Sequence, residues 1–282
     1  MAEQSFLRHG RHRGSLLDRL AHGIAHALAH ALDADDLARR DGFLQKLDPR
    51  VKLGIAVGLI VVAVVVKSLA VLGGLFLLAV ALALTSGIGL ARLARQVWIG
   101  VLAFTGLIAL PAIFVVPGEA LVTLPLLGWP VTLPGLRSAG FLIGRAETTA
   151  TYALLLILST PWAHLLKAMR AYRLPLVIVV ILGMTYRYVI VLLQTAAQMF
   201  EARRSRMVGR LSPGDGRRLT TATAGALLGK ALDMSTEVHL AMISRGYRGE
   251  PRLIDDFRVT AIDWAAAAGF IVVSSLALWM QA

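Results

Sequence analysis

The sequence predicts an all-α integral membrane protein with about five transmembrane helices and a set of cytoplasmic or interfacial helical arms between the fourth helix and the last. Three observations support this prediction. Of the 282 residues, 57% are hydrophobic and only 16% are charged, and the mean hydropathy is +0.69, which is unusual for a soluble domain. The apolar residues fall into long runs. The basic residues, which give a formal net charge of +12, cluster between those runs, as in loops retained on the cytoplasmic side.

Five apolar runs are the predicted membrane spans, and they cover residues 53–66, 69–85, 97–116, 139–159 and 259–280. The first run is short for a hydrocarbon core of about 30 Å, so we expect Lys52 to lie at its edge and to extend its ammonium group toward the interface. Pro111 predicts a kink in the third run. Residues 117–137 are rich in Pro and Gly, which predicts an external loop or a re-entrant segment. An odd number of crossings places the two termini on opposite sides of the cell membrane, with the N-terminus in the cytoplasm.

These boundaries divide the chain into four parts: a basic cytoplasmic N-terminal segment (1–46), a membrane domain with four transmembrane helices (47–159), a cytoplasmic domain with helical arms (160–258) and a last transmembrane helix (259–282). The sequence has no cysteine, which excludes disulfides, thiolate metal sites and cysteine nucleophiles. Nucleic acid is not an expected partner in spite of the positive charge, because no motif that reads bases is present.

Three histidines in the N-terminal segment are candidate metal ligands. His22, His26 and His30 recur every four residues, so on a helix they share one face and could hold Zn, Ni or Co, with Asp33 or Asp36 as an oxygen ligand. The alternative is an interfacial or partner-facing helix whose histidines are solvated. We favour the alternative, because the alternation of alanine and histidine carries little information.

The arms are predicted as two long helices. Residues 175–206 form one helix of roughly 45 Å at about 1.5 Å per residue, and a second covers about residues 219–245, after a turn at 212–216. Residues 176–193 are apolar enough to cross a membrane, but a crossing would place most arginines outside, against the positive-inside rule. A polar stripe also marks one face of the first arm: Arg187, Gln194, Gln198, Glu201 and Ser205. We therefore expect this arm to lie along the inner membrane surface.

Both arms end in the same dipeptide, within the segments Ser205, Arg206, Met207 and Ser244, Arg245, Gly246. An arginine in the last turn followed by glycine is also an ordinary helix stop, so helix capping alone could explain the second segment. The repetition favours a docking surface for another protein, and further arginines surround both ends: Arg203, Arg204 and Arg248. Methionines in or beside the arms suit a surface that repacks, although filling an irregular core is an equally good explanation.

No catalytic signature is complete. Gly225 and Gly229–Lys230 resemble a phosphate loop only faintly, because the glycine spacing is one residue short and Ala231 replaces the hydroxyl residue that would hold magnesium. We therefore expect this chain to perform no bond chemistry itself. The alternatives that remain open are a membrane enzyme with an arginine site for an anionic lipid or diphosphate substrate, and a channel or scaffold that acts alone.

Three motifs carry a resemblance to a known family. LDPRVKLG at the first span, EARRSRMVGR and AMISRGYRGEPR, together with the order of four spans, helical arms and one last span, are similar to the transmembrane coupling (T) components of energy-coupling factor (ECF) transporters. Within that family the chain looks like the CbiQ-like members of cobalt uptake systems. The resemblance covers residues 44–282, so the N-terminal histidines lie outside it.

The resemblance implies that the chain couples two ABC-type ATPase subunits to a substrate-binding membrane (S) component, with a small accessory membrane subunit as a further expected partner. Each arm would end in a docking arginine, and by position these are Arg206 and Arg245. Met207 stands where the family pattern commonly has glycine, so Arg204 remains an alternative docking residue. The chain itself would bind no cofactor, since ATP and magnesium would be held by the ATPase subunits. Cobalt is the implied substrate, with nickel or a vitamin as alternatives.

Overall fold

The computed structural model describes residues 42–115, 120–123, 130–206, 213–248 and 259–280, along with the isolated positions 23 and 38. The chain divides into two compact units. The membrane unit contains the helices of Ala34–Leu174 and Ile254–Ala282, and the arm unit contains those of Pro175–Leu253. The division makes the basic insertion between the fourth and last spans a structural unit of its own.

Nine α-helices, one π-helical turn and two short strands make up the described part of the chain. In order these are α1 (Pro49–Val65), α2 (Leu69–Thr85), α3 (Leu90–Leu93), the π-helical turn (Ala94–Trp98), α4 (Ile99–Val115), β1 (Ala120–Thr123), β2 (Pro130–Thr132), α5 (Leu133–Ser159), α6 (Trp162–Ala171), α7 (Leu176–Arg206), α8 (Pro213–Ser244) and α9 (Ala261–Trp279). The fold is therefore helical, as predicted.

The start of α1 is specified by local sequence. Asp48 is the N-cap, and its side chain accepts a hydrogen bond of 2.8 Å from the backbone N–H of Arg50. Pro49 follows at the first helical position, where the missing N–H costs nothing. The start of α9 is specified by a capping box between Thr260 and Asp263. Both helices therefore begin at defined residues and not in frayed turns.

Several helix ends meet on one face of the membrane unit, which we call the junction face. The backbone N–H of Asp48 at the start of α1 donates to Oδ1 of Asp263 at the start of α9, at 2.7 Å. Lys52 of α1 donates to the carbonyl of Ser159, the last residue of α5. Residues 43–45 make three hydrogen bonds to Thr85 and Ser86 at the end of α2. Helices α1 and α9 thus start on the junction face, whereas α2 and α5 end there.

Helix α5 is the centre of the membrane unit. It packs on α1, α2 and α4, and Tyr152, Leu155 and Leu158 contribute to the core cluster. The Tyr152 hydroxyl donates to the carbonyl of Leu75 at 2.8 Å, which satisfies a polar group inside the bundle. The outer surfaces of the spans carry large apolar side chains, including Leu77, Phe104, Leu107, Val272 and Trp279, as lipid-facing surfaces do.

The predicted external segment contains a short antiparallel hairpin. Strand β1 pairs with β2 in the register Ala120–Thr132, Val122–Val131 and Thr123–Pro130, with an irregularity after Ala120. The Thr132 side chain then accepts from the backbone N–H of Gly135 and caps α5. The sequence did not predict these strands, because runs of three or four residues are too short to display an alternating pattern.

Among the described helices, four stretches are long and apolar enough to cross a membrane: Leu90–Ala112, Leu133–Ser159, Leu176–Arg203 and Ala261–Trp279. Helix α2 is a shorter apolar helix, and α1 and α2 both pack beside α5, so α1, α2, the continuous helix from Leu90 to Val115, α5 and α9 are the candidates for the five predicted spans. The chain is therefore a multi-pass helical membrane protein. The stretch Leu176–Arg203 belongs to the arm unit, and our prediction that it does not cross rests on charge distribution.

Two details differ from the sequence-based expectations. Lys52 does not extend to the interface: it is 4% exposed and donates to the Ser159 carbonyl at 2.9 Å. Its bond to this carbonyl and the nearby charges of Asp263 and Asp48 offset part of the cost of burying the ammonium group. Residues 213–216 are the first turn of α8 and not a loop, because proline followed by acidic and small residues suits a helix start as well as a turn.

Candidate functional sites at the arm ends and at the first helix

The two arm helices run antiparallel, so their C-terminal ends point in opposite directions. Near the α7–α8 connection, Nη1 of Arg203 approaches the carbonyl of Leu219 at 3.5 Å. Farther along, a groove is lined by α7 residues from Val180 to Leu192 and by residues from Ala231 to Tyr247. Because α8 has 32 residues, its ends are ~48 Å apart at 1.5 Å per residue. Arg206 and Arg245 therefore lie at opposite ends of the arm unit.

At the end of α7, Ser205 and Arg206 are both exposed. The Ser205 hydroxyl donates to the carbonyl of Ala202 at 2.9 Å, so it is occupied within its own helix turn. The Arg206 guanidinium makes no hydrogen bond or ion pair to any other described residue. Arg204 is part of α7, and Met207 lies outside the described residues. An exposed guanidinium that has no partner among the described residues suits contact with another protein.

At the end of α8 the backbone forms a Schellman motif. Gly246 has a φ of +81°, its N–H donates to the carbonyl of Ile243 at 2.9 Å, and the N–H of Tyr247 donates to Met242 at 3.0 Å. The capping explanation therefore accounts for Gly246, which provides the left-handed backbone conformation. It does not account for the Arg245 side chain, which is exposed and has no partner among the residues that the structure describes.

The open groove between α7 and α8 has a volume of about 430 Å³. Three of its lining residues are methionines: Met184, Met234 and Met242. Flexible, polarisable side chains allow two helices to change their contact without losing it. The groove is thus lined in part by the methionines that the sequence places in the arms, and their role in repacking stays a prediction.

A second candidate site is the first turn of α1, where the LDPRVKLG motif lies. Asp263 is 1% exposed: its Oδ1 accepts from the backbone N–H of Asp48, and its Oδ2 accepts from the N–H and the hydroxyl of Thr260 at 2.7 and 2.8 Å. Lys52 is close enough to feel the negative charges of Asp263 and Asp48. This network of charged and polar groups links the starts of α1 and α9 with the end of α5.

Helix α6 is attached to the same turn. The hydroxyl of Tyr172, which follows α6, donates to the carbonyl of Arg50 at 2.9 Å. Gly54, the last residue of the motif, faces this hydroxyl so closely that a Cβ atom would collide with it. The motif thus supplies the N-cap Asp48, the buried cation Lys52 and, at Gly54, the space for the Tyr172 hydroxyl. The sequence could not indicate which distant residues contact these positions.

Two further charged residues lie within α5. Arg145 donates from Nη2 to the carbonyl of Val66 at 2.8 Å and stands over the ring of Phe141, 5.3 Å from its centroid. Glu147 is 8% exposed, and its carboxyl oxygens have no hydrogen-bond partner among the described residues. The fourth span therefore pairs its arginine internally, as charged groups in a membrane require.

The remaining predicted residues have simpler outcomes. His22, His26 and His30 lie outside the described residues, so their arrangement stays a prediction. Within the described ranges, no group of three His, Cys, Asp or Glu side chains could hold a metal ion. Arg248 is exposed beyond the end of α8. The roles of all predicted docking residues likewise remain predictions.

The fold defines a multi-pass helical membrane protein with a long basic helical insertion before its last span. A family model described as "Cobalt transport protein", CbiQ, matches residues 41–254. The chain belongs to this CbiQ cobalt transport family. Its membership identifies it as a membrane component of a transport family and favours transport over an enzymatic role.

Two curated relatives are similar to the chain. An uncharacterized protein of Methanocaldococcus jannaschii is 28% identical over 264 residues, which cover 93% of this chain and 90% of that protein. The cobalt transport protein CbiQ of Rhodobacter capsulatus is 32% identical over 120 residues, which cover 43% of this chain and 49% of that protein. The first relative matches nearly the whole chain, and the second matches about half of each protein.

Proposed function

We propose that this protein is the transmembrane coupling subunit of an ECF-type ABC importer for cobalt ions, and that it transmits ATP-driven motion of two ATPase subunits to a substrate-binding membrane subunit. The observation that carries the proposal is the position of Arg206 and Arg245. Both are exposed: Arg206 is the last described residue of α7, Arg245 directly follows the last residue of α8, and they lie toward opposite ends of α8. Two docking points separated by most of the length of a 32-residue helix suit two separate partner subunits better than one ligand.

The chemistry of arginine suits such a docking point. A guanidinium group presents a planar set of donors to carboxylates or backbone carbonyls, and it keeps its charge when water is excluded from an interface. An ammonium group is more strongly hydrated and lacks the planar geometry. We therefore expect lysine to replace either arginine poorly.

The arrangement of the membrane unit supports arms that stay on one side of the bilayer. Helix α9 begins on the junction face, where α5 ends, so the chain between them crosses an even number of times or not at all. Helix α8 contains Arg217, Arg218, Lys230, Asp233 and Glu237 and is not among the helices apolar enough to cross. If α8 does not cross, α7 has no return path and cannot cross either. By the positive-inside rule this side is the cytoplasm, where the ATPases would bind.

The test is charge reversal at each arm end. Arg206→Glu and Arg245→Glu, singly and together, are compared by co-purification with co-expressed ATPase subunits and by cobalt uptake in cells. Losing a buried charge pair costs about 2–5 kcal/mol, which corresponds to at least ~30-fold weaker binding at the altered end. Since the ends are far apart, each single variant should retain one ATPase subunit per chain, and the double variant should retain none.

Lys230→Glu is the matched control, because Lys230 is exposed in the middle of α8 and away from both ends. It should bind both ATPase subunits and support uptake. Unchanged assembly and uptake in the double variant would contradict the proposal. Catalytic activity of the purified chain alone on a lipid or diphosphate substrate would favour the membrane-enzyme alternative.

A further inference from the structure

We infer that residues 47–54, at the start of α1, transmit motion of the arms to the membrane helices. We call this segment the mechanical junction of the subunit. This inference rests on the proposed coupling function and deepens it. It assigns a role to the LDPRVKLG motif, which lies far along the chain from the docking arginines.

The two segments of the membrane unit that adjoin the chain connections to the arm unit are both hydrogen-bonded to residues 47–54. The chain leaves the membrane unit after Leu174, and just before that point Tyr172 donates to the carbonyl of Arg50. The chain returns at residue 254, and at the start of α9 Asp263 accepts from the backbone N–H of Asp48. Displacement of the first connection therefore acts on the carbonyl of Arg50. Displacement of the second acts on the backbone N–H of Asp48, two residues away.

The turn passes such a displacement to the centre of the bundle. Lys52 donates to the carbonyl of Ser159 at 2.9 Å, and Ser159 ends α5, the helix that packs on α1, α2 and α4. The hydrogen bonds of Lys52 and of Asp263 to this turn and to α5 are short and buried, and each has one charged partner, so they are stiffer than apolar side-chain contacts. A pull on Tyr172 or Thr260 would move the starts of α1 and α9 together with the end of α5.

The junction also has room for a second arrangement. A cavity of about 230 Å³ adjoins it and is lined by Asp48, Lys52, Ser159, Thr160 and Asp263, among others. Oδ2 of Asp48 and Oγ1 of Thr160 are buried and have no hydrogen-bond partner among the described residues. Lys52 has donors to spare, since an ammonium group has three and its one described bond is to Ser159. A shift of the ammonium group toward Asp48 would exchange one set of hydrogen bonds for another, as a two-state element requires.

The test uses mild variants that remove one hydroxyl each from the two connections. Tyr172→Phe and Thr260→Val are introduced into the full transporter complex in proteoliposomes, and cobalt uptake and ATP hydrolysis are measured together. Tyr172 is 53% exposed, so losing its hydroxyl should not prevent folding. A lost hydrogen bond of about 1 kcal/mol predicts about fivefold less cobalt taken up per ATP hydrolysed, with ATPase binding unchanged.

Tyr152→Phe and Thr185→Val are the matched controls. Tyr152 donates to Leu75 in the bundle core, and Thr185 donates to Ile181 within α7, so neither substitution touches the hydrogen bonds of Tyr172, Thr260 and Asp263. Both should keep the wild-type ratio of uptake to hydrolysis. A second probe is Gly54→Ala, whose methyl group would displace the Tyr172 hydroxyl, compared with Gly73→Ala, where the added methyl meets open space.

The outcomes separate this inference from the proposed function. Wild-type complex that couples ATP hydrolysis to cobalt uptake establishes the function by itself. An unchanged uptake ratio in Tyr172→Phe, Thr260→Val and Gly54→Ala would then overturn the junction alone. Loss of ATPase binding in these variants would also overturn it, because the residues would then act in assembly and not in transmission.

Discussion

Asp263→Asn tests the energetic importance of the buried network most directly. The asparagine keeps the size and one carbonyl oxygen of the aspartate, but it removes the negative charge near Lys52. It also replaces Oδ2, which accepts from the N–H and the hydroxyl of Thr260, with an amide that donates. A hydrogen bond to a charged group contributes about 1.5–3 kcal/mol, and Asp263 accepts three such bonds, two of them at Oδ2. Since the effects overlap, we expect a loss of about 3–5 kcal/mol in the free energy of unfolding.

The measurement is reversible unfolding of the purified protein in mixed micelles with rising SDS, followed by the fluorescence of its five tryptophans. Asp233→Asn is the control, because Asp233 is exposed on α8, and such a change should cost less than about 0.5 kcal/mol. Lys52 lies within the electrostatic influence of Asp263, so adding Lys52→Met to Asp263→Asn removes two opposite charges that act on each other, and the double variant should be more stable than the sum of the single changes predicts. A loss below about 1 kcal/mol in Asp263→Asn, or full additivity, would refute this account of the network.

Two further substitutions test glycines at close contacts and turns. Gly58→Ala places a methyl group against the ring of Phe270, so overpacking between α1 and α9 should cost about 1–3 kcal/mol in the same unfolding assay, and an unchanged midpoint would contradict this close packing. Gly246→Ala puts a side chain at a φ of +81°, which should destabilise the last turn of α8 by about 1 kcal/mol. In this variant, hydrogen exchange at the amides of residues 246 and 247 should be about fivefold faster than in the wild type. Equal protection in the two proteins would argue against the Schellman motif.

The boundaries of a helix were predictable where the helix begins and ends with its apolar run. The second span was predicted at 69–85, which is the range of α2, because its limits coincide with the limits of its apolar run. The spans of α1 and α5 begin several residues earlier than predicted, at Pro49 and Leu133. Their first turns contain polar residues that a hydropathy pattern assigns to loops, and the caps at Asp48 and Thr132 set the start in each case.

The candidate site at the arm ends was predictable in position but not in detail. The repeated Ser-Arg pairs marked the ends of two helices, and the structure places Arg206 as the last residue of α7 and Arg245 directly after α8. The sequence left helix capping open as an alternative. The backbone geometry resolves that question only for Gly246, because a cap uses main-chain groups and leaves the arginine side chain unexplained.

The network at α1 was beyond the reach of the sequence. Lys52 and Ser159 are 107 residues apart, and Asp48 and Asp263 are 215 apart. No periodicity or spacing rule links residues at such separations, and a lysine next to an apolar run is more often a residue at the interface. Only the packing of α1 against α5 and α9 brings these groups within hydrogen-bond distance.

The same contacts limit how this protein can be recombined with its relatives. Eight residues at the start of α1 are matched to Ser159, Tyr172 and Asp263, which lie on three other segments of the chain. A chimaera that takes only residues 47–54 from a relative would place a foreign N-cap, lysine and glycine against the original Ser159, Tyr172 and Asp263. The hydrogen bonds and the close contact between these groups would then no longer fit. We expect such exchanges to succeed when residues 159–172 and 260–263 are transferred together with the motif, so that these separate segments behave as a single exchangeable part.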